Sequence, residues 1–293
     1  MIEREYLRKI RQVEIRTRRL AEEYLAGAYR SVFKGRGMDF ESVRNYVAGD
    51  EVRFIDWNVS ARMNATHVKE FKEERELVAM LVVDVSASGD LASGQQSKRE
   101  LAAELAACFA FSAVSNGDRV GLVLFSDRIE KYVPPRKGRT QVLRIVREVL
   151  GCAPTGRGTS LKQALNFVNQ VQTRRAVTFL ISDFMDSGFE RVLKVTARRH
   201  DLIPVVVSDP REQLLPDAGW IVVQDAETGE VVEIDTGDPE VRTAFAELTA
   251  QRRVQRRQEL RRMGVDSIEL ITDQSYTQPI RQYMDRRVAQ RYP

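Results

Sequence analysis

The amino-acid sequence predicts an α/β fold: a doubly wound, mostly parallel sheet with helices on both faces, plus a small N-terminal helix and β-rich module. From Leu77 onward, short apolar runs alternate with longer stretches of helical periodicity, which is typical of a parallel sheet covered on both faces. The chain has 293 residues, of which 43% are hydrophobic and 30% charged. This length and composition are sufficient to bury a sizeable core without disulfides.

The first 75 residues divide into two segments. Residues 1–30 are predicted to form a helix, because apolar side chains such as Leu7, Ile10 and Leu20 recur at helical spacing among Arg and Glu. Residues 31–75 are rich in Gly, Arg and aromatic residues and contain β-like pieces such as 67–71. Their spaced arginines suit either a salt-bridged shell or a surface for a partner or an anion. We therefore predict an N-terminal region (1–75), a main domain (76–275) and a C-terminal helix or tail (276–293).

Apolar β-type runs in the main domain predict strands over residues 77–85, 119–125, 129–133, 176–182, 202–207 and 267–271. The second and third flank Ser126-Asp127-Arg128, which favours an antiparallel hairpin. Helices are predicted over residues 98–115, 140–150, 161–172, 189–199 and 241–263. Residues 220–235 are predicted to form a further β-hairpin that pairs at a sheet edge, since two apolar runs bracket a turn-like segment.

Composition argues against several classes of protein. Every apolar run is far shorter than the roughly 20 residues needed to cross a bilayer, and the N-terminus lacks the apolar core of a signal peptide, so we expect a cytoplasmic protein without a membrane span. Two cysteines and two histidines lack the spacing of a zinc site or of a His-based catalytic site. The formal net charge of +4 does not by itself indicate nucleic acid.

Polar residues that could bind a metal ion follow the predicted strands or precede a predicted helix. The segment 84–88, with one carboxylate and two hydroxyls, follows the first strand, Thr159 precedes a helix, and Asp183 follows the fourth strand. Ligands of doubly wound sheets bind beyond the carboxyl ends of the strands, so these three loops are expected to converge. Carboxylate and hydroxyl oxygens suit a hard cation, Mg²⁺ or else Mn²⁺. The predicted metal ligands are Asp84, Ser86, Ser88, Thr159 and Asp183.

Each of these residues also has a simpler structural interpretation. A Ser or Asp after a strand often caps a helix, Thr159 suits the N-cap of a helix from Leu161, and Asp183 could cap the segment that follows it. Their joint occurrence favours the metal site, with at least one coordination position open for a carboxylate of another chain. No nucleophile with a general base accompanies them, so we expect a protein that is not an enzyme. The alternatives are a metal-dependent hydrolase, a basic nucleic-acid-binding protein, and a vestigial metal site on a structural fold.

The five residues together resemble the metal-ion-dependent adhesion site of von Willebrand factor type A (vWA) domains. The segments FKGRGMDF at 33–40, RNYVAGD at 44–50 and GDRVG at 117–121 resemble the bacterial domain-of-unknown-function-58 family. This resemblance implies a metal-dependent protein-binding adaptor or chaperone-like component. It also implies a MoxR-type AAA+ ATPase and a client protein as partners, and no small-molecule substrate.

Overall fold

The computed structural model of the protein describes residues 2–21, 25–34, 39–72, 76–90, 94, 96–156, 158–224 and 229–291. The N-terminal part contains helices and a two-stranded antiparallel sheet. In chain order its elements are α1 (Ile2–Leu20), α2 (Ala26–Tyr29), β1 (Asp39–Asn45), α3 (Trp57–Met63) and β2 (His67–Lys72).

The rest of the chain forms the central sheet, its helices and a second small sheet. In chain order these elements are β3 (Val78–Asp84), α4 (Lys98–Ser115), β4 (Arg119–Phe125), β5 (Ile129–Arg136), α5 (Arg139–Gly151), α6 (Leu161–Val171), β6 (Val177–Ser182), α7 (Glu190–Arg199), β7 (Asp201–Ser208), β8 (Trp220–Gln224), β9 (Val231–Asp235), α8 (Pro239–Arg262), β10 (Ile268–Ile271) and α9 (Thr277–Arg291).

The central sheet has the order β10-β7-β6-β3-β4-β5, and every neighbouring pair is parallel except β4 with β5. Alternate side chains of β3 enter two separate hydrophobic clusters, because successive side chains of a strand point to opposite faces. Leu81 lies in the cluster that contains Leu105 of α4, and Val82 in the cluster that contains Leu165 of α6. The predicted doubly wound α/β fold is confirmed.

All six predicted strands and all five predicted helices of the main domain are present, with ends that differ from the prediction by at most three residues. The predicted antiparallel hairpin is β4 with β5. The apolar runs are reliable for β3, β4, β6 and β7, because each of these strands is buried over most of its length and so consists almost entirely of apolar residues.

The prediction that the 220–235 hairpin pairs at an edge of the sheet is wrong. Strands β8 and β9 pair with each other in a sheet of their own, and β10 takes the position beside β7. The base of the hairpin closes on itself, since the backbone N–H of Thr236 donates to the Gly219 carbonyl over 2.8 Å. Trp220 and Val222 are exposed as a result. The predicted turn falls largely on 225–228, outside the described residues.

The described residues within the helix predicted over 1–30 are helical: α1 ends at Leu20, α2 begins at Ala26, and residues 22–24 lie outside the described part. The β-like piece at 67–71 is confirmed as part of β2. In the same region Arg44 donates two hydrogen bonds of 2.7 Å to the Asp50 carboxylate, which supports the salt-bridged interpretation for this pair. Arg36 lies outside the described residues.

Both ends of the chain contribute to the main core. Val13 of α1 and Tyr283 of α9 belong to the same hydrophobic cluster as Leu81 of the central strand. Within the described residues, none of the helices combines the length and the apolar character that crossing a bilayer requires.

Candidate metal centre

The strand order places two carboxylates beside each other at one edge of the sheet. From β3 the chain continues to β4 on one side, and the later strand β6 lies on the other side, so the strand order reverses between β3 and β6. Such a reversal opens a crevice at the carboxyl ends of the strands. Asp84 ends β3, and Asp183 directly follows the end of β6. Both acids therefore lie at the position where this fold usually binds ligands.

Hydrogen bonds connect the first and third loops. The backbone N–H of Ser86 donates to Asp84 Oδ1 over 2.9 Å, and Ser182 Oγ donates to Asp84 Oδ2 over 2.7 Å. The hydroxyls of Ser86 and Ser88 lie 3.2 Å apart, and Ser88 Oγ donates to Asp183 Oδ2 over 3.1 Å. The predicted side chains of these two loops thus form one polar cluster.

The turn after β6 aims the two oxygens of Asp183 in different directions. Phe184 has a φ of 57°, a left-handed conformation that is rare for a bulky residue, and its ring is buried against Phe189. The N–H of Met185 donates to Asp183 Oδ1 over 3.2 Å, while Oδ2 faces Ser88. The structural interpretation of Asp183 as a cap is correct for Oδ1, and Oδ2 remains directed into the cluster.

A small cavity lies among these side chains. Its volume is about 20 Å³, and its lining includes Asp84, Ser86, Ser88, Lys98 and Asp183. A cavity of this size holds about one water molecule or one ion. The site is therefore large enough for a single cation.

Thr159 lies in the second loop and does not line this cavity. The N-cap of α6 is Ser160, whose side chain accepts from the Gln163 N–H over 3.3 Å, so the interpretation of Thr159 as the cap is wrong. The backbone N–H of Ser160 donates to the Ser126 carbonyl over 2.8 Å, at the end of β4. The structure thus brings four of the five predicted ligands together and places Thr159 in the loop beside the same sheet edge.

Glu130 holds the loop that carries Thr159. Its carboxylate accepts from Ser126 Oγ over 2.6 Å, from Thr155 Oγ1 over 3.0 Å and from the Gly156 N–H over 2.9 Å. Burial acts to raise the pKa of Glu130, but these hydrogen bonds outweigh it and lower the pKa to about 2. The charged Glu130 therefore fixes this loop against the end of β4 at neutral pH.

The negative charge of Asp84 is poorly compensated. Burial and the nearby Asp183 carboxylate raise the pKa of Asp84 to about 6, against the hydrogen bonds from Ser86 and Ser182. Within the described part of the chain, Asp84 forms hydrogen bonds but no ion pair. A bound cation would remove this repulsion, so the electrostatics of Asp84 fit a metal ion.

Lys98 is a functional candidate that the sequence did not indicate. Its side chain is 5% exposed, and Nζ donates to Asp183 Oδ2 over 2.9 Å and to Glu212 Oε1 over 2.5 Å. Burial acts to lower the pKa of Lys98, but the two carboxylates outweigh it and raise the pKa above its usual 10.5. An ammonium group thus already contacts one predicted metal ligand.

Two guanidinium groups near the site donate hydrogen bonds to the main chain. Arg99 donates to the Val85 carbonyl over 3.0 Å and to the Cys152 carbonyl over 2.7 Å. Arg256 donates to the Asp183 carbonyl over 2.9 Å. They stiffen the loops and add positive charge around Asp183.

The donor set is chemically suitable for Mg²⁺, although it is sparse. The described residues include no group of three or more His, Cys, Asp or Glu side chains that could hold a metal ion. The candidate set supplies two carboxylates and two hydroxyls beside one small cavity, and Mg²⁺ usually keeps several water ligands. Asp84, Ser86, Ser88 and Asp183 are the residues that would hold the ion, with Thr159 nearby in the second loop.

Comparisons with known proteins identify relatives of unknown function. A family model described as "Protein of unknown function DUF58" matches residues 42–255. An uncharacterized protein of Mycobacterium bovis, Mb1516, is 33% identical over 281 residues, which cover 95% of this chain and 88% of that protein. The uncharacterized protein Rv1480 of Mycobacterium tuberculosis gives the same figures.

Solved structures also resemble this chain. The conserved hypothetical protein BatB from Bacteroides thetaiotaomicron is 16% identical, with a TM-score of 0.48 over 73% of this chain and 99% of that chain. The SpRpn10 VWA domain is 9% identical, with a TM-score of 0.36 over 71% of this chain and 95% of that chain. At TM-scores below 0.5 these likenesses say nothing about the function of this chain.

Proposed function

Given that the chain belongs to the DUF58 family, we propose that it is a metal-dependent protein-binding adaptor or chaperone-like component. Mg²⁺, or Mn²⁺ in its place, binds at the edge of the central sheet. Its ligands, direct or through water, are Asp84, Ser86, Ser88, Thr159 and Asp183. A carboxylate of a partner protein completes the coordination shell.

The observation that carries the proposal is the cavity of about 20 Å³ between the two carboxylates and the two serine hydroxyls. Four side chains that the sequence separates by up to 99 positions converge on it, and each offers an oxygen atom. Oxygen ligands suit Mg²⁺, and its preference for six ligands leaves room for water and for a group from outside the chain. The site therefore supports docking of an acidic side chain.

The partners we propose are a MoxR-type AAA+ ATPase and a client protein. The support for the ATPase is the resemblance to the domain-of-unknown-function-58 family in the segments 33–40, 44–50 and 117–121. In this arrangement the metal site contributes the docking contact, and the ATPase contributes the energy of nucleotide hydrolysis. The chain itself is not an enzyme in this proposal.

The alternative function is a metal-dependent hydrolase, which would need a nucleophile or a general base beside the metal. Phosphoester turnover that disappears in Asp183→Ala would favour the hydrolase and contradict the adaptor.

The test is affinity purification of the full chain from its native cells, in buffer with Mg²⁺ or with EDTA. We expect a partner protein that is retained with Mg²⁺ and released by EDTA or by the Asp84→Ala substitution. Asp217→Ala is the matched control, because Asp217 has an exposed side chain and lies outside the site. Equal retention by wild type and Asp84→Ala would overturn the proposal.

A further inference from the structure

We propose that Lys98 is a built-in cation that competes with the metal ion for Asp183, and that Glu212 holds the Lys98 ammonium when the metal is bound. The inference rests on the proposed function, since it describes how the same site is loaded. It assigns a role to two residues that belong to neither the predicted ligand set nor its loops.

The competition follows from a shared atom. Asp183 Oδ2 accepts from Ser88 Oγ over 3.1 Å and from Lys98 Nζ over 2.9 Å. Oδ2 is therefore the Asp183 oxygen that faces the cavity, and it already has a cation on it. A metal ion bound between Ser88 and Asp183 would lie within a few ångströms of the ammonium.

Burial makes this proximity costly. The side chains of Lys98 and Asp183 are 5% and 9% exposed, so water screens their charges only weakly. Attraction between opposite charges and repulsion between like charges both increase when water is excluded. A divalent ion and the ammonium therefore cannot both stay on Oδ2 without a strong repulsion, and one must move.

Glu212 gives the ammonium a second position. The Glu212 carboxylate is fixed by its own backbone contact, since the Asp209 N–H donates to its Oε2 over 2.9 Å. Its other oxygen, Oε1, already accepts from Lys98 over 2.5 Å. When a metal ion takes Asp183 Oδ2, the ammonium moves off this oxygen but keeps the ion pair with Glu212, so its charge remains compensated.

Glu212 therefore lowers the cost of moving the ammonium. Without Glu212, the ammonium would have to leave the Asp183 carboxylate to admit the metal and would have no second carboxylate to pair with among the described residues. The ion pair between Lys98 and Asp183 holds the loop after β6 against α4 before the metal arrives, and the same ion pair limits how tightly the metal binds. Two substitutions on the same contact should thus change the metal affinity in opposite directions.

The experiment is a calorimetric titration of the full chain with Mg²⁺. Lys98→Met removes the ammonium but keeps much of the side-chain volume, and we expect Mg²⁺ to bind about tenfold more tightly. Glu212→Gln leaves Lys98 with Asp183 alone, and we expect binding about tenfold weaker. Lys131→Met is the matched control, because Lys131 forms an exposed ion pair with Glu148 and should leave the affinity unchanged.

A merely structural role for Lys98 predicts a different result, namely that both substitutions weaken binding. Unchanged or weaker binding in Lys98→Met would overturn the inference. Tighter or unchanged binding in Glu212→Gln overturns the inference as well. If Lys98→Met does not fold, Lys98→Gln takes its place, because it removes the charge and keeps a polar group beside Asp183; the same tighter binding is expected, and unchanged or weaker binding overturns the inference. If wild type binds Mg²⁺ and Asp84→Ala does not, the proposed function stands whatever Lys98 does. If wild type and every variant bind no Mg²⁺, both proposals fail.

Discussion

Gly156, in the loop that leads to Thr159, has no room for a side chain. A Cβ atom there would lie 2.1 Å from Asp127 Oδ1 and 2.3 Å from Ser126 Oγ. The Asp127 carboxylate can turn away, but Ser126 is fully buried and its hydroxyl is bonded to Glu130. We expect Gly156→Ala to lower the free energy of unfolding by about 1–3 kcal/mol, because the loop must shift from the end of β4. Urea denaturation measures this loss.

Gly27→Ala is the matched control for Gly156→Ala. Gly27 lies in α2, and an added Cβ would meet nothing within 4 Å. Since Ala favours a helix over Gly, this substitution should raise stability by about 0.5–1 kcal/mol. Similar stability changes at the two glycines would show that the contact with Ser126 has no energetic effect.

His200 makes the stability of the fold depend on pH. It is buried, its Nδ1 accepts from the Ala176 N–H over 3.3 Å, and its Nε2 has no hydrogen-bond partner among the described residues. Burial, together with Arg199 and Arg175, lowers the pKa of His200 below its usual 6.5. Below pH 6.5 the unfolded chain therefore binds a proton that the folded chain binds more weakly, so this contribution to stability declines as pH falls.

The variant that tests this is His200→Gln, which keeps an acceptor for Ala176 and does not titrate. We expect wild type to lose more unfolding free energy than the variant between pH 7 and pH 5, measured by urea denaturation at both values. Parallel losses in the two proteins would mean that His200 does not contribute.

The proximity of Asp84 and Asp183 could be predicted from the sequence because each lies at the end of an apolar run that forms a strand, and these strand ends meet at one sheet edge. Lys98 and Glu212 could not be found in this way. Lys98 opens a helix, where a charged residue is usually exposed, and its contact with Glu212 spans 114 positions of the chain.

At the scale of elements, the start of α4 decides where Lys98 lies. Ser97 Oγ accepts from the Glu100 N–H over 3.1 Å, and the Glu100 carboxylate accepts from the Ser97 N–H over 3.2 Å, which is a capping box. Ser97→Ala should lower the free energy of unfolding by about 1 kcal/mol, because a helix-end donor loses its acceptor. Thermal or urea unfolding measures the loss.

Ser115→Ala is the control for the helix cap, because Ser115 is exposed at the other end of α4. Its effect should stay within about 0.5 kcal/mol. Equal effects of the two substitutions would contradict a specific role for the Ser97 cap.

Element types in the main domain could be predicted because burial imposes apolar runs on strands and periodic apolar positions on helices. The strand pairing of the 220–235 hairpin could not be predicted from the sequence. Two apolar runs around a turn indicate a hairpin whether it joins the large sheet or stands alone. The position beside β7 is occupied by β10, which lies more than 30 residues later in the chain.

At the scale of the whole molecule, the order of the strands creates the candidate site. The reversal between β3 and β6 places Asp84 and Asp183 side by side, and α4 brings Lys98 across from the same edge. Helices α1 and α9 lie on the face of the sheet that also carries α4, and residues of all three enter one cluster. This core holds the site in place without contributing a ligand to it.

The most direct test of the central claim is a calorimetric Mg²⁺ titration of wild type, Asp84→Ala and the control Asp217→Ala. We predict a single Mg²⁺ site in wild type and in the control, and its loss in Asp84→Ala, because that substitution removes one of the two carboxylates at the cavity. The fold should persist, since the substitution removes a poorly compensated buried charge. No binding heat in folded wild type, or the same affinity in Asp84→Ala, would contradict the claim.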